Sequence, residues 1–353
     1  MGACCSSEGN RVDENQQFTD VNLIKNKAYK DTAQDPTANY RHNEYQTAPL
    51  SSNNYPKPHY EERDDVGSDE NIFKEEVKKL DLGNEITKEL YIKCGHYDYG
   101  SNPNDGVKRV LRDLQTVEND SQYYGFWNKN TGVRDGNGVM IWVDGSRYDG
   151  TWKENQASGR GRLIHADGDI YDGQWKEDKA DGKGKYTHQD GALYNGDWVE
   201  DKQDGYGVET WPDGSCYEGQ YVDGKKEGKG KFVWADGSEY QGEFKANNIE
   251  GRGRYKWADG RSYDGDWADN KMHGRGTFQW PDGKTYIGEY VEDKKEGEGT
   301  LEWPDGKKYE GQWVNGKQNG RGWYTNQKGE RRLAEWQEGR KVRWVDEENE
   351  DGN

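Results

Sequence analysis

The stretch that decides the fold is YNGDWVEDKQDGYGVETWPDGSC, residues 194–216, followed by YEGQYVDGKKEGKGKFVWADGSE, residues 217–239. Both begin Tyr-x-Gly-x-aromatic, carry Gly-x-Gly in the middle and reach Trp-x-Asp-Gly near the end. A skeleton that returns at a fixed spacing of this length is typical of repeat architectures, in which each unit packs on its neighbours. The sequence therefore predicts an array of repeats.

The same skeleton recurs nine times between residues 123 and 331. Successive units are 23 residues apart, except that the first interval has 25. A degenerate tenth unit follows with Trp336 in phase, as is common for the last repeat of an array. The tyrosines that open the nine units are Tyr123, Tyr148, Tyr171, Tyr194, Tyr217, Tyr240, Tyr263, Tyr286 and Tyr309.

Each unit is predicted to be a β-hairpin, and Asp-Gly is predicted to make the turn to the next unit. Residues two apart share a face of a strand, so the aromatic residues and the glycines collect on one face. We expect rings to pack over glycines in an all-β, elongated, single-layer, twisted antiparallel sheet of nine to ten hairpins. This face is predicted to be an uncovered trough that binds partner proteins. Its residues are Tyr148, Trp152, Tyr171, Trp175, Tyr194, Trp198, Trp211, Tyr217, Trp234, Tyr240, Trp257, Tyr263, Trp267, Trp280, Tyr286, Trp303, Tyr309 and Trp313.

The opposite face is predicted to be charged. The residue between the two glycines is basic in most units, which suits a phosphoinositide headgroup. Acidic residues of the first strand lie on the same face, so cross-strand ion pairs are the alternative interpretation and need fewer assumptions. The candidate headgroup residues are Arg160, Lys183, Lys229, Arg252 and Arg275.

The amino terminus, Met-Gly-Ala-Cys-Cys-Ser at residues 1–6, fits the pattern for N-myristoylation of Gly2. One myristoyl chain binds a bilayer only marginally, so a second anchor is needed. Cys4 and Cys5 are the adjacent candidates for palmitoylation. The alternative is a chance Met-Gly start. We expect dual acylation and attachment to the cytoplasmic face of a membrane.

The other segments flank the array at residues 123–345. Residues 7–67 are polar and aperiodic, which is typical of a disordered tether. Residues 68–122 contain amphipathic patterns that predict short helices, from Ser68, from Asn84 to about Ile92 and from about Val107 to Val117. We interpret them as a cap on the array, with a partner-binding helix as the alternative. Residues 346–353 form an acidic tail.

Composition excludes several classes of protein. A net charge of −18 argues against nucleic acid as a partner. No apolar run is long enough to span a membrane, and no secretory signal is present, so we expect an intracellular, reduced protein. The four cysteines lack metal-ligand spacing, and Gly-x-Gly lacks the strand–helix context of a phosphate loop. We therefore predict no catalytic residue, no metal and no cofactor.

The Tyr-x-Gly-x-Trp and Gly-x-Gly skeleton resembles the MORN (membrane occupation and recognition nexus) repeat, over about two thirds of the chain from Tyr123 to Trp344. Tyr221, Phe244 and Tyr290 replace the tryptophan of the pattern. The resemblance implies a twisted β rod used in scaffolding and membrane-associated assembly. It also implies self-association through terminal repeats, here a homodimer through the C-terminal ones.

Together these features predict a non-enzymatic, membrane-tethered scaffold that recruits protein partners. Its expected place is a membrane–cytoskeleton boundary, the cell cortex or a cilium. Two alternatives stay open. One is a phosphoinositide-binding module that acts through the array, and the other is an axonemal rod in which acylation is incidental.

Overall fold

The structure is a computed structural model that describes residues 66–80 and 83–345. The predicted acylation signal, nearly all of the predicted tether and the acidic tail lie outside the described residues. The described residues divide into two compact units, which we call the N-terminal unit (up to Ala235) and the C-terminal unit (from Asp236). Each is described by itself.

The N-terminal unit contains both α-helices and the first eleven strands. The helices are α1 (Val66–Val77) and α2 (Glu85–Cys94), and a 3₁₀ turn covers Glu118–Asp120. The strands are β1 (Arg109–Thr116), β2 (Gln122–Asn128), β3 (Arg134–Ile141), β4 (Arg147–Lys153), β5 (Gln156–Ile164), β6 (Ile170–Lys176), β7 (Lys179–Thr187), β8 (Leu193–Val199), β9 (Lys202–Thr210), β10 (Cys216–Val222) and β11 (Lys225–Val233).

The C-terminal unit contains ten strands. They are β12 (Glu239–Lys245), β13 (Asn248–Lys256), β14 (Ser262–Ala268), β15 (Lys271–Gln279), β16 (Thr285–Val291), β17 (Lys294–Glu302), β18 (Lys308–Val314), β19 (Lys317–Thr325), β20 (Arg331–Gln337) and β21 (Arg340–Trp344). Within each unit every strand pairs antiparallel with the next one in sequence. The predicted fold, an all-β array of antiparallel hairpins, is confirmed.

The hairpin of β8 and β9 shows why the skeleton needs its glycines. Gly196 faces Gly207, and the register then shifts so that Trp198 faces Gln203. The extra residues bulge from β9, where Gly205 has φ +104°, a conformation that suits glycine. The prediction that rings pack over the glycines of the repeat includes Gly205 as well as Gly207. At Gly205 the prediction is wrong, because the atoms nearest to an added Cβ belong to the side chain of Asp197.

The turn inside each hairpin fastens it to the hairpin before. Glu200 and Asp201 have φ of 46° and 69°, as in the two-residue turns that suit strand twist. The Asp201 N–H donates to the carbonyl of Ala180 at 2.9 Å, and its Oδ1 accepts from the N–H of Ala180 at 2.7 Å. We call this pair of bonds the turn clamp. Asn155, Asp178, Asn270 and Asp293 make it too.

Two of the predicted helices are confirmed, and the third is wrong. The residues predicted as a helix over 107–117 form β1, which pairs with β2 so that Leu111 faces Phe126. A helix there would leave the backbone of β2 unpaired on that side, whereas a strand satisfies it. Leu111 also packs against the cluster around Phe73 of α1.

Candidate functional site

The rings form a column in which Tyr194 is representative. Its ring lies across Gly196 and Gly207, where an added Cβ would come within 2.5 Å of the hydroxyl oxygen and 2.4 Å of a ring carbon, respectively. Its hydroxyl donates to the carbonyl of Asp197 at 2.9 Å. Burial raises the pKa of this phenol above its usual range. The tyrosines that open the nine repeats are all at most 1% exposed.

These rings also join adjacent repeats. Tyr194 packs edge-to-face on Trp198 of its own repeat, with ring centroids 5.3 Å apart, and on Tyr221 of the next repeat at 5.2 Å. The Trp198 Nε1–H donates to the carbonyl of Gly184 in the preceding hairpin at 3.2 Å. Each repeat therefore needs both neighbours to complete its packing. The same indole bond is made by Trp152, Trp175, Trp267 and Trp313.

The predicted partner-binding face falls into two columns that differ in exposure. Its strand residues are buried by one another, because edge-to-face rings seated on glycines leave little surface open. The turn residue Trp257 is buried as well, so the expected open trough is narrower and its accessible part is the other four turn tryptophans. Partner binding by this column stays a prediction. The buried residues are Tyr148, Trp152, Tyr171, Trp175, Tyr194, Trp198, Tyr217, Tyr240, Trp257, Tyr263, Trp267, Tyr286, Tyr309 and Trp313, and the half-buried ones are Trp211, Trp234, Trp280 and Trp303.

A buried lysine accompanies the repeats in which tyrosine replaces tryptophan. Lys226 faces Tyr221, lies 5.0–5.5 Å from the ring centroids of Trp211, Tyr217 and Tyr221, and is 9% exposed. Its Nζ is 2.8 Å from the Glu209 Oε2, which also accepts the Tyr221 hydroxyl at 2.9 Å. The smaller phenol leaves space for this network of an ion pair and rings.

The second instance is Lys295, which faces Tyr290 and is 6% exposed. Its Nζ lies 4.8–5.0 Å from the ring centroids of Trp280, Tyr286 and Trp313. We did not identify these lysines from the sequence. The signal was present, since the tenth residue of the repeat is lysine in both units whose fifth residue is tyrosine.

On the charged face, basic residues lie beside carboxylates. Lys183 is opposite Asp197, with its Nζ 2.5 Å from Oδ1. Asp172 lies 3.0 Å from the Nε of Arg162 and 3.9 Å from the Nη2 of Arg160. These are the cross-strand ion pairs expected where acidic residues of the first strand and basic residues of the second strand share a face. The side chains of Arg160 and Lys183 are 76% and 71% exposed, so each pair contributes at most about 1 kcal/mol.

Two of the other headgroup candidates also lie opposite acidic residues. Arg252 is opposite Asp266, and Arg275 is opposite Glu289. Lys229, Arg252 and Arg275 are exposed. In both places a basic residue of one strand therefore faces an acidic residue of the next strand. Headgroup binding stays a prediction, and ion pairs account for Arg160 and Lys183 of the five candidates.

The helices cover the charged face of the first repeats. Phe73 and Val77 of α1 pack on Tyr124, Phe126 and Val139, which are apolar where later repeats carry mostly polar residues. The helices that we interpret as a cap therefore lie on one face of the sheet, and β1 adds a strand beside β2 at the edge of the sheet. The apolar residues at these positions of the first repeat were the sequence signal for such a cover.

Helix α2 is fixed by a buried ionic network. The guanidinium of Arg147 lies 3.6 Å from the ring centroid of Tyr91 and 2.7 Å from the Oδ2 of Asp149. The hydroxyl of Tyr99 donates to the Oδ1 of Asp149 at 2.5 Å. At the start of α2, Asn84 caps Thr87 and its Nδ2 donates to two turn carbonyls of the array.

His165 and His188, which stand where most other repeats carry the turn tryptophan, have packing roles. Asp169 accepts the Tyr186 hydroxyl at 2.6 Å and lies 3.5 Å from the Nδ1 of His188. This bond to Asp169 raises the pKa of His188, whereas burial lowers the pKa of His165. Burial would raise the pKa of Asp169, but its bonds to His188 and Tyr186 outweigh burial and lower it to about 2. Within residues 66–80 and 83–345, no group of three or more His, Cys, Asp or Glu side chains is placed to hold a metal ion.

Among the described residues, no helix is long and apolar enough to cross a membrane. Cys94 is exposed and Cys216 is half-buried, both as thiols.

Comparison with solved structures finds distant likenesses. The TCP10 domain of zebrafish (Danio rerio) CPAP is 15% identical at a TM-score of 0.34, covering 59% of this chain and 98% of that one. The TCP domain of Drosophila melanogaster SAS-4 (dCPAP), solved with a proline-rich motif of Ana2 (dSTIL), is 15% identical at a TM-score of 0.23, covering 62% and 98%. These TM-scores carry no conclusion about this chain. No curated protein matches it significantly.

The family model for the MORN repeat matches nine consecutive segments of the chain. They are residues 123–147, 148–170, 171–193, 194–216, 217–239, 240–260, 263–285, 286–308 and 309–331. These segments make up more than half of the chain and begin at the tyrosines that open the repeats. MORN repeats form a non-enzymatic repeat scaffold. The chain belongs to the MORN repeat family.

Proposed function

We propose that this protein is a membrane-tethered scaffold. Acyl chains on Gly2 and on Cys4 and Cys5 would hold it on the cytoplasmic face of a membrane, and the array would recruit protein partners there. The observation that carries the proposal is an acylation pattern at the start of a chain that also contains nine MORN repeats.

The described contacts support a scaffold role for the array. The tyrosines that open its repeats are buried, five of its tryptophans bond to the preceding hairpin, and its Gly-x-Gly motifs form a bulge and a ring seat. What the array offers to other molecules is therefore its turns and its charged face. Surfaces of this kind bind proteins in many repeat families.

The tether is tested in cells of the source organism with a tagged full-length chain. Gly2→Ala should move the protein from the membrane fraction to the soluble fraction, because removing myristate also removes the context for palmitoylation. Gly9→Ala is the matched control and should leave the distribution unchanged. A Gly2→Ala protein that stays in the membrane fraction would overturn the tether.

The place of action is tested by imaging the same tagged chain. The proposal expects signal at a membrane-associated structure such as the cortex or a ciliary membrane. Signal along the axoneme that survives Gly2→Ala would favour the alternative of a structural rod.

A further inference from the structure

The charged face of the N-terminal unit carries a row of apolar and threonine side chains next to the inter-repeat turns. Cys216 faces both Thr210 and Val233, Leu193 faces both Thr187 and Thr210, and Ile170 faces both Ile164 and Thr187. We call the part of this row beyond Ile164 the polar-face stripe. Its residues are Ile170, Thr187, Leu193, Thr210, Cys216 and Val233, and all are half-buried.

The stripe continues a surface that a helix already covers. The row begins at Ile141, Arg147 and Ile164, which are at most 6% exposed. Ile141 packs in the cluster of α1, and Arg147 lies on the Tyr91 ring of α2. Helix α2 also contacts β5, the strand of Ile164. A helix packed on this row is therefore a geometry that the chain itself shows.

The same row in the C-terminal unit is polar. There the residues at the stripe positions are Glu239, Lys256, Ser262, Gln279, Thr285, Glu302, Lys308, Thr325 and Arg331. Strand packing within a MORN sheet thus does not require apolar residues in this row. The apolar character of this row in the N-terminal unit therefore has another cause, and burial under a partner would explain it.

The turns next to the stripe determine the charge of that partner. Exposed Asp167, Asp190 and Asp213 recur once per repeat, and the turns 165–169, 188–192 and 211–215 contain no lysine or arginine. On the far side of the stripe both signs of charge are present, as in the pair of Arg162 and Asp172. A partner that covers the stripe therefore meets an acidic rim along one side.

The spacing of these residues suits a helix. One repeat advances two strands, about 10 Å. Seven residues of α-helix rise about 10.5 Å, so groups one heptad apart match successive repeats. We propose that the polar-face stripe is the docking surface for an amphipathic helix of a partner protein, with apolar residues on one face and lysine or arginine beside them. This inference names a partner for the scaffold and rests on that proposed function.

Cys216 provides a direct probe of the stripe. In the full-length chain with Cys4, Cys5 and Cys94 changed to serine, Cys216 is the remaining thiol. The test ligand is a synthetic 21-residue helix with leucine on one face and lysine elsewhere. We expect it to slow alkylation of Cys216 at least about fivefold at saturation. A peptide of the same composition in permuted order, with no apolar face, should give no protection.

A pair of variants separates the stripe from general charge attraction. Leu193→Gln should weaken binding of the amphipathic peptide at least about tenfold, since it removes one apolar contact. Thr285→Gln, at the same repeat position in the C-terminal unit, should leave the affinity unchanged. Equal binding of both peptides, or unchanged protection and affinity in Leu193→Gln, would overturn the docking surface. The assay uses unacylated protein, so its failure leaves the membrane tether standing.

Discussion

The ring of Tyr194 lies against the α-carbon of Gly207, so closely that a methyl group there would come within 2.4 Å of ring atoms. Gly207 is on the partner strand, directly opposite Gly196. The ring and the two glycines thus form one seat, which recurs in each repeat. The fixed spacing of tyrosine and glycine in the sequence therefore places one packed ring on the sheet in each repeat.

Gly207→Ala should destabilise the array by about 1–3 kcal/mol, because the added methyl overpacks the seat of Tyr194. The matched control is Gly214→Ala. Gly214 has φ +90° and no atom within 4 Å of an added Cβ, so its substitution carries backbone strain alone. Urea unfolding of the full chain should give the lower midpoint for Gly207→Ala. Equal midpoints would show that the ring seat is not tightly packed.

Lys226→Ala should be strongly destabilising, by about 3–5 kcal/mol, because it leaves the Glu209 carboxylate buried beside rings without its cation. Adding Glu209→Leu should restore much of the loss, since Leu163 and Leu301 occupy the same repeat position in other units. Thermal unfolding of the wild type, the single variant and the double variant tests this. A double variant no more stable than Lys226→Ala would contradict the ionic interpretation.

Gly224→Asn should stabilise the protein by about 0.5–1 kcal/mol. Gly224 keeps the backbone bond of the turn clamp, from its N–H to the carbonyl of Gln203, but it has no side chain to accept from the Gln203 N–H. Asparagine tolerates the φ of +77° found there, and space is open around the position. Asp201→Ala, which removes the acceptor for Ala180, should lower the unfolding midpoint. An unchanged or lower midpoint for Gly224→Asn would contradict the role of the clamp.

His188 should make stability depend on pH. Its pKa is raised in the folded protein by Asp169, so the protonated ring stabilises the fold below its ordinary pKa of about 6.5. This contribution is lost as the pH rises through the raised pKa. His188→Gln should therefore lower the melting temperature more at pH 5 than at pH 8.5. A loss of the same size at both pH values would show that the ring acts through packing alone.

The contribution of Asp169 to stability has the opposite pH dependence. Its pKa is lowered to about 2 against an ordinary value near 3.8, so its contribution is present above pH 4 and is lost as the pH falls toward 2. Asp169→Asn should reduce the acid sensitivity of the array between pH 4 and pH 2. Acid unfolding followed by tryptophan fluorescence measures this directly.

The repeat, its hairpin form and its aromatic face could be predicted because one pattern recurs nine times and each recurrence supports the others. The bulge at Gly205 and the turn clamp of Asp201 could not, because they depend on register, which spacing alone leaves open. The first repeat was harder still. Its Phe126 and Val139 depart from the pattern because α1 covers them, and a departure from a repeat does not say what covers it.

The bond from Trp198 to Gly184 has a consequence for how such a chain is divided or lengthened. The sequence motif begins at Tyr194, but the packed module begins one strand earlier, in β7. A fragment that begins at Tyr194 lacks Gly184, so the Trp198 indole loses its acceptor. A fragment that begins before β7 retains this acceptor. Duplication or loss of one 23-residue repeat keeps the remaining repeats in phase. Genetic duplication can therefore change the number of repeats without requiring a new set of contacts between adjacent repeats.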